Sequence, residues 1–299
     1  MPAAATVSID GRTLRLSNLD KVLYPEAGFT KAEVIDYYAR ISPALLTHSA
    51  GRAMSLRRFP DGVDGESFFE KRCPSYRPEW MATYPGPGDH VGEIRYCGID
   101  DVASLVWLAN LAALELHAPM ARGTDLESPH MVVFDLDPGP GVGIPECARV
   151  ALDIREVLDG LGLESVVKTS GSKGLQAYVP LNVDGHTHAG TAAFAQAVAQ
   201  LLEKRDPKRV TSVMRKDLRG GKVFIDWSQN SRHKTTVCAY SLRARPRPTV
   251  STPVTWDEAE AAARGKDPLV FEAADVLDRV DELGDLFEPA ATLEQELPR

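Results

Sequence analysis

Two carboxylates follow an apolar run in segment 130–138, which reads HMVVFDLDP. Successive side chains of a β-strand point to opposite faces, so Asp135 and Asp137 would share one face while Phe134 and Leu136 point into a core. Two carboxylates this close repel each other unless a cation lies between them, and Mg²⁺ and Mn²⁺ prefer such oxygen ligands. The pair predicts a divalent metal site. The alternative is that these residues only begin the Pro-Gly turn that follows, where Asp is common.

A third aspartate, Asp226, ends segment 222–226, which reads KVFID. Its β-branched and aromatic residues predict a strand with Phe224 and Asp226 on one face. Three aspartates on two strands that converge on two cations are the arrangement that polymerases and nucleases use for in-line phosphoryl transfer. We expect the three carboxylates to converge in this way.

Segment 166–180, VVKTSGSKGLQAYVP, predicts a hairpin whose turn is Gly-Ser-Lys-Gly. Glycines permit the positive φ angles that let consecutive N–H groups form an anion-binding nest, and the Ser and Lys add a hydroxyl and a cation. The turn therefore suits a phosphate group. A Gly/Ser turn with a solvated lysine is also an ordinary hairpin connection.

Further motifs occur in order between about Leu16 and Trp256. They are LSNLDKVLYP from Leu16, FFEK from Phe68, LELH from Leu114, FDLDPG from Phe134, KTSGSKG from Lys168, FIDWSQN from Phe224 and YSLRAR from Tyr240. Together they resemble the polymerase domain of bacterial ligase D, which belongs to the archaeo-eukaryotic primase-polymerase superfamily and works in end joining. Because no ligase or nuclease motif follows, we expect a stand-alone relative of the kind found in actinobacteria.

The resemblance implies a role for each matching residue. The metal-binding triad, holding Mn²⁺ or Mg²⁺, would be Asp135, Asp137 and Asp226. The residues that hold the incoming NTP or dNTP would be Phe68, Phe69, His117, Ser170, Lys173, Gln176, Arg219 and Arg243. The 5′-phosphate of gapped DNA would be held by Asn18, Lys21 and Lys31, with Arg58 on the template. The family usually has His at position 176, and because a neutral amide cannot carry a positive charge, we expect phosphate handling or sugar preference to differ here.

Several of these residues have a plainer interpretation. His117 could cap an apolar helix that runs from Val102 to Leu116, and Lys21 could be a solvated surface charge. The pair Phe68-Phe69 could belong to the core, where adjacent aromatic residues more commonly lie.

The overall charge is −8, which is unusual for a protein that binds a polyanion, but the charges are unevenly distributed. Segment 204–247 carries 13 Lys and Arg against three Asp, whereas segment 256–299 carries 13 Asp and Glu against four Lys and Arg. This asymmetry favours a nucleic-acid-binding face followed by an acidic tail, although a basic segment can also be only a solvated face.

No apolar run approaches the roughly 20 residues that a membrane span requires, so we expect a cytoplasmic protein without membrane contact. The resemblance implies a bacterial, nucleoid-associated protein. The four cysteines, Cys73, Cys97, Cys147 and Cys238, show no C-x₂-C spacing. This spacing argues against a zinc ribbon and a disulfide framework, and we expect buried free thiols.

The order of predicted elements indicates an α+β fold with helices packed on one face of a sheet. A capping box at Thr30 and Glu33 opens one helix, and Pro145 begins another that ends at Gly160 or Gly162. The resemblance implies a primase-polymerase fold with an RNA-recognition-like catalytic sheet and an N-terminal α/β lobe. We expect an N-terminal lobe at 1–125, the catalytic sheet at 126–255 and the acidic tail at 256–299.

The sequence therefore favours a template-dependent nucleotidyltransferase that fills short gaps at DNA ends, with Ku and a separate ligase as expected partners. Ribonucleotide incorporation is expected from the resemblance alone. One alternative is a non-catalytic module that bridges DNA ends, against which the repulsion among unused carboxylates argues. Another is a phosphatase of the haloacid dehalogenase type, which also carries D-x-D at a strand end but normally near the N-terminus and before Gly-Thr.

Overall fold

The computed structural model describes residues 4–88, 92–123 and 125–298. The helices of this part of the chain are α1 Lys31–Ser49, α2 Val102–Asn110, α3 Ile144–Gly160, α4 His188–Arg205, α5 Trp256–Ala263, α6 Ala273–Leu283 and α7 Pro289–Thr292. The strands are β1 Ala4–Ile9, β2 Arg12–Ser17, β3 Val22–Tyr24, β4 Phe29–Thr30, β5 Ser55–Arg58, β6 Phe68–Glu70, β7 Thr83–Pro87, β8 Glu93–Cys97, β9 Ala113–Pro119, β10 Ala121–Arg122, β11 Asp125–Pro129, β12 Met131–Pro138, β13 Val166–Thr169, β14 Leu175–Pro180, β15 Val210–Thr211, β16 Val223–Asp226, β17 Thr235–Val237 and β18 Pro253–Val254.

The chain divides into two compact units, each built from separate stretches of sequence. The first unit contains Met1–Pro119, Val237–Ser251 and Phe271–Gly284. The second contains Met120–Thr236, Thr252–Val270 and Asp285–Arg299. This division differs from the three consecutive segments that the sequence predicted, because the acidic C-terminal part is shared between the units.

The second unit is built on a six-stranded sheet with the order β15-β16-β12-β14-β13-β18. Its central strand, β12, is antiparallel to both neighbours, β14 and β16. Helices α3 and α4 both pack on β12, and α5 packs on α3. The expected order of strand, helix, hairpin, helix and strand is confirmed, and α3 ends at Gly160 as predicted.

The first unit contains a sheet in which β5 lies between β6 and β9. Helix α1 begins with the predicted capping box, since the Thr30 side chain accepts from Glu33 N–H and the Glu33 carboxylate accepts from Thr30 N–H. Its apolar stripe is buried, with Tyr37 1% and Leu45 0% exposed. Burial of such a stripe supplies most of the stability of a helix in a folded domain.

Two expectations from the sequence were wrong in the first unit. The apolar helix does not reach Leu116: α2 ends at Asn110, Ala112 takes a φ of 57°, and β9 begins at Ala113. The apolar spacing that suggested one long helix arises because α2 and β9 are both buried on most sides.

The cysteine prediction was also wrong in part. Cys73 and Cys97 form a disulfide, and only Cys147 and Cys238 are buried free thiols. The spacing could not indicate this bond, because the pairing joins residues 24 positions apart that only the folded chain brings together. In the described part of the chain, no helix combines the length and the apolar composition required to cross a bilayer.

Candidate active site

The three predicted metal-binding aspartates lie on neighbouring strands at the centre of the six-stranded sheet. In the register of β12 and β16, Asp135 is the direct partner of Asp226, and Asp137 is the partner of Phe224. Directly opposed residues of an antiparallel pair project to the same face, so all three carboxylates belong to one face. Phe134 and Leu136 are fully buried on the other face, as the alternation predicted.

The negative charges of neighbouring carboxylates disfavour the ionised forms of Asp135 and Asp137. Burial raises the pKa of Asp135 to about 7, with Asp137 and Asp226 adding to the increase through their negative charges. Burial and the charge of Asp226 likewise raise the pKa of Asp137. Such mutual repulsion in a cleft is typical of a site that awaits a cation.

The carboxylate of Asp226 already has hydrogen-bond donors and a nearby ammonium group. It accepts hydrogen bonds from the Ser228 N–H at 3.0 Å, from the Ser228 hydroxyl and from the Gln229 side-chain amide at 3.0 Å, and the Lys234 ammonium lies 3.7 Å away. Within residues 4–88, 92–123 and 125–298, no group of three or more His, Cys, Asp or Glu side chains has the arrangement of a metal site.

The donor set nevertheless fits a hard divalent cation at Asp135 and Asp137. Both are oxygen ligands, both have raised pKa values, and no hydrogen bond or ion pair engages the carboxylate of Asp137 within the described residues. Carboxylates of this kind are the ligands that Mg²⁺ and Mn²⁺ prefer.

Gln176 holds Asp135 from the other side of the central strand. The two residues are cross-strand partners, and the Gln176 amide donates to a carboxylate oxygen of Asp135 at 3.0 Å. The amide oxygen accepts from the buried Lys168 ammonium at 2.5 Å and from the Tyr178 hydroxyl at 3.1 Å. Because the Lys168 ammonium can only donate, the amide oxygen must face Lys168 and the amide N–H must face Asp135.

The glycine-rich turn connects β13 to β14, as the sequence predicted. Ser170 N–H donates to Gly174 O at 2.9 Å, and Gly174 N–H donates to the Ser170 hydroxyl at 3.1 Å. A Cβ at position 174 would lie 2.1 Å from Leu136 O, so only glycine lets the turn approach β12 this closely. Lys173 is exposed on this turn, beside the strand that carries Asp135 and Asp137.

The backbone of Gly139 packs closely against the backbone of Arg219 and so positions that residue. A Cβ at Gly139 would lie 1.8 Å from Arg219 O, so a side chain there would push away the loop before β16. The Arg219 guanidinium stacks 3.6 Å from the centroid of the Phe224 ring and donates to Met214 O at 2.6 Å. Its positive charge lowers the pKa of Asp137, against the larger effect of burial.

The other predicted nucleotide-binding residues, Phe68, Phe69, His117 and Arg243, belong to the first unit. Glu115, which is 2% exposed, links two of them. Its carboxylate lies 3.0 Å from His117 Nε2 and accepts from Arg243 Nε at 3.2 Å and from Ala244 N–H at 3.0 Å. Arg57 lies 3.9 Å from the same carboxylate.

The pKa values of Glu115 and His117 are both lowered, but for different reasons. His117 and Arg243 hold the pKa of Glu115 well below its usual range despite burial, so Glu115 is ionised at neutral pH. Burial lowers the pKa of His117, and the carboxylate of Glu115 opposes that effect. With its Nε2 facing Glu115, the imidazole leaves Nδ1 for a second partner. His117 lies on a strand, so its predicted role as the cap of a helix end is excluded.

The aromatic pair is not part of the core. Phe68 is 45% and Phe69 is 48% exposed. The Phe69 ring packs edge-on against His117 with 5.4 Å between centroids, and the Arg58 guanidinium lies 5.0 Å from the Phe68 ring centroid. Arg58 is also bound to Glu70 at 3.2 Å, so its charge is partly neutralised.

The structure brings together Asn18, Lys21 and Lys31. Lys21 N–H donates to Asn18 O at 3.1 Å, and Lys31 N–H, at the first position of α1, donates to Lys21 O at 2.8 Å. The Lys31 side chain is buried and donates to Ser17 O at 2.6 Å, while Lys21 pairs with the exposed Asp61 at 2.7 Å. Burial and the charge of Lys21 lower the pKa of Lys31 to about 8.

Sequence reasoning missed two buried charges that organise these sites, Glu115 and Lys168. Each lies in an apolar strand and is at most 2% exposed. The sequence did carry a signal for both residues: a charged side chain at an inward-facing position of an apolar strand must have a partner. The partners themselves could not be found without the folded chain.

Most of the chain matches known proteins. Residues 30–287 match the family model described as LigD, primase-polymerase domain. The chain belongs to the LigD primase-polymerase family. The "Multifunctional non-homologous end joining protein LigD" of Mycolicibacterium smegmatis is 46% identical over 92% of this chain and 36% of its own length. The "Bifunctional non-homologous end joining protein LigD" of Bacillus subtilis is 32% identical over 91% of this chain and 43% of its own length.

A solved LigD structure confirms the predicted fold class. The polymerase domain of Mycobacterium tuberculosis ligase D, solved in complex with DNA, matches with a TM-score of 0.88 and 41% identity over 94% of this chain and 99% of that one. The chain spans 36% and 43% of the lengths of the two LigD relatives named above. The mixed helix and sheet architecture is therefore that of the LigD primase-polymerase domain.

Proposed function

We propose that this protein is a template-dependent nucleotidyltransferase that adds nucleotides to a primer 3′-OH at short gaps or broken ends of DNA. The single observation that carries the proposal is the convergence of Asp135, Asp137 and Asp226 on one face of the central strands in a chain of the LigD family. Clustered carboxylates are costly to fold, and the pKa values of Asp135 and Asp137 are raised, so a charged ligand would offset their repulsion.

In this proposal Asp135 and Asp137 hold Mg²⁺ or Mn²⁺, and Asp226 completes the site. Divalent cations bound there would activate the primer hydroxyl and neutralise the charge that develops on the triphosphate. Ser170 and Lys173 on the glycine turn, together with Arg219, would bind phosphate oxygens and orient the α-phosphorus for attack. Gln176 would keep Asp135 in place through its amide.

The first unit would supply further contacts. His117 and Arg243 carry donors suited to a triphosphate, and the exposed rings of Phe68 and Phe69 suit stacking on the nucleotide or template, with Arg58 beside them. The residues proposed to hold a downstream 5′-phosphate are Asn18, Lys21 and Lys31. The M. tuberculosis neighbour was solved with DNA, which supports DNA as the substrate.

The amides at the start of α1 would contribute little to that 5′-phosphate contact. Lys31 N–H and Ala32 N–H already donate to Lys21 O and Leu19 O, and Glu33 N–H donates to the Thr30 hydroxyl. The helix dipole and the two ammonium groups would therefore provide the attraction. We also propose repair of double-strand breaks by end joining as the setting, with Ku and a separate ligase as partners, because the relatives carry end joining in their names.

Primer extension on gapped DNA tests the proposal. The protein would be given a primer-template with a short gap, Mn²⁺ or Mg²⁺, and either rNTPs or dNTPs. We expect template-directed extension that stops at the end of the gap, and the comparison of nucleotide classes measures sugar preference. Binding and bridging of DNA ends without any extension, under every metal and nucleotide condition, would instead support the non-catalytic alternative.

A further inference from the structure

The exposed aromatic side chains of the first unit form one group. Among the described residues, the only Phe, Tyr or Trp side chains classed as exposed are Phe68, Phe69 and Tyr76, and Tyr76 is 63% exposed. All three line a single groove of about 680 Å³. Exposed rings are costly in water, so their collection in one groove indicates a binding surface.

The same groove is rich in positive charge. Its lining includes Lys71, Arg72, Arg77 and Arg95 but one acidic residue, Glu70. The Glu70 carboxylate is bound to Arg58 at 3.2 Å and so does not neutralise the groove. Because the whole chain carries a net charge of −8, this local excess of basic residues runs against the overall balance.

Arg72 is exposed, Arg77 is half-buried, and neither side chain has a partner among the described residues. Within the described part of the chain, no hydrogen bond or ion pair engages the guanidinium of Arg72 or Arg77. Arg95, in contrast, donates to Thr83 O at 2.6 Å. Unpaired guanidinium groups beside exposed rings are the combination that binds phosphates and stacks bases together.

The groove is held in shape by covalent and hydrogen bonds. The disulfide between Cys73 and Cys97 joins the loop after β6 to the end of β8, and Cys73 N–H donates to Arg95 O at 2.8 Å. The Tyr76 ring packs 6.1 Å from the Trp107 ring, which orients it at the rim. A rigid platform loses little entropy when a ligand binds.

We propose that this aromatic-basic groove binds single-stranded DNA, with Tyr76 stacking on a base and Arg72 and Arg77 holding the adjacent phosphates. The proposal rests on the proposed function for its ligand class and extends it beyond Phe68 and Phe69 to a surface for the unpaired strand. Duplex DNA would not fit the same role, because its bases are already stacked and cannot lie on the ring.

Fluorescence anisotropy with labelled oligothymidine tests the proposal. The full chain would be titrated in EDTA, without nucleotide or primer, at several salt concentrations. We expect Tyr76→Ala to weaken binding about fivefold, because base stacking contributes roughly 1–3 kcal/mol per base. The double variant Arg72→Ala with Arg77→Ala should weaken binding about tenfold and reduce the salt slope by about 1.4, the value for two phosphate contacts on a single strand.

A matched control is the double variant Arg264→Ala with Lys266→Ala, which removes two exposed positive charges from the end of α5 in the other unit. It should change binding less than twofold. Duplex DNA of equal length should be far less sensitive to Tyr76→Ala than the single strand. Thermal unfolding of each variant verifies that the first unit is folded.

Unchanged single-strand affinity in folded groove variants would overturn the proposal, as would an equal loss in the control. Equal weakening of single-stranded and duplex DNA would also overturn it, because stacking would then play no part. Since the assay contains no metal or nucleotide, its result does not depend on polymerase activity. Failure of primer extension and failure of groove binding are therefore distinguishable.

Discussion

Asp226 lies directly opposite Asp135 in the register of β16 on β12. Two carboxylates at opposed positions of an antiparallel pair repel each other, and like charges there destabilise the sheet. The pair is accommodated because each carboxylate has a donor of its own: Gln176 for Asp135, and Ser228 with Gln229 for Asp226. The carboxylate of Asp137 has no such donor among the described residues.

The first prediction concerns the role of the triad in activity. The double change Asp135→Ala with Asp137→Ala should reduce primer extension at least about a thousandfold, because metal ions supply several kcal/mol of transition-state stabilisation. Binding of gapped DNA should persist, since the change removes two repelling charges. Residual extension above a few per cent of wild type, measured under saturating Mn²⁺, would contradict the assignment.

The second prediction concerns pH and metal. The folded-state pKa of Asp135 is raised to about 7, so its ionisation costs stability, and this cost grows as the pH rises from about 4 to about 7. Without metal, the wild-type melting temperature should fall across this window relative to Asp135→Asn with Asp137→Asn, while the two proteins should agree below pH 4. Adding Mn²⁺ at pH 7.5 should raise the melting temperature of the wild type only. An equal rise in the variant would place the cation elsewhere.

The third prediction concerns the 5′-phosphate. Lys21→Ala with Lys31→Ala should remove the preference for gapped DNA that bears a 5′-phosphate, with little effect on an open primer-template. In the wild type, the preference should decline above about pH 8, where Lys31 loses its proton. Asp61→Asn is the matched variant, because it releases Lys21 from its ion pair and should strengthen the preference. Equal losses on both substrates in the lysine variant would indicate a structural role.

The fourth prediction concerns Gln176. Gln176→His should change the KM for nucleotides or the ratio of rNTP to dNTP use, because an imidazole beside Asp135 can carry a positive charge. Gln176→Glu is the matched variant: it keeps an acceptor for Lys168 and Tyr178 but places a carboxylate against Asp135, so activity should fall sharply. Steady-state kinetics with each nucleotide class measure both effects. Unchanged KM, kcat and sugar ratio in the histidine variant would show that the departure at this position is neutral.

The fifth prediction concerns Glu115. Glu115→Gln should lower the free energy of unfolding by about 3 kcal/mol, because removing one partner of a buried ion pair leaves the other charges uncompensated. Asp61→Asn, which removes the exposed partner of Lys21, should cost less than about 1 kcal/mol. Urea unfolding at pH 7 measures both. Similar values for the two variants would mean that the Glu115 cluster is not an organising element of the first unit.

The local patterns of the sequence determined the strand that carries Asp135 and Asp137, the glycine turn after β13 and the capped start of α1. Each depends on a period of two, on a glycine requirement or on a capping residue, which are properties of neighbouring residues. The motif order also identified the family, which the comparisons confirm. The roles of the individual site residues remain predictions.

Only the tertiary structure decided which residues face each other. The register that opposes Asp226 to Asp135, the orientation of the Gln176 amide between Lys168 and Asp135, and the disulfide of Cys73 with Cys97 all join residues far apart in the chain. The same is true of Glu115, whose partner Arg243 lies 128 positions away. Pairing of this kind depends on how whole strands align in the folded chain, and no local spacing encodes that alignment.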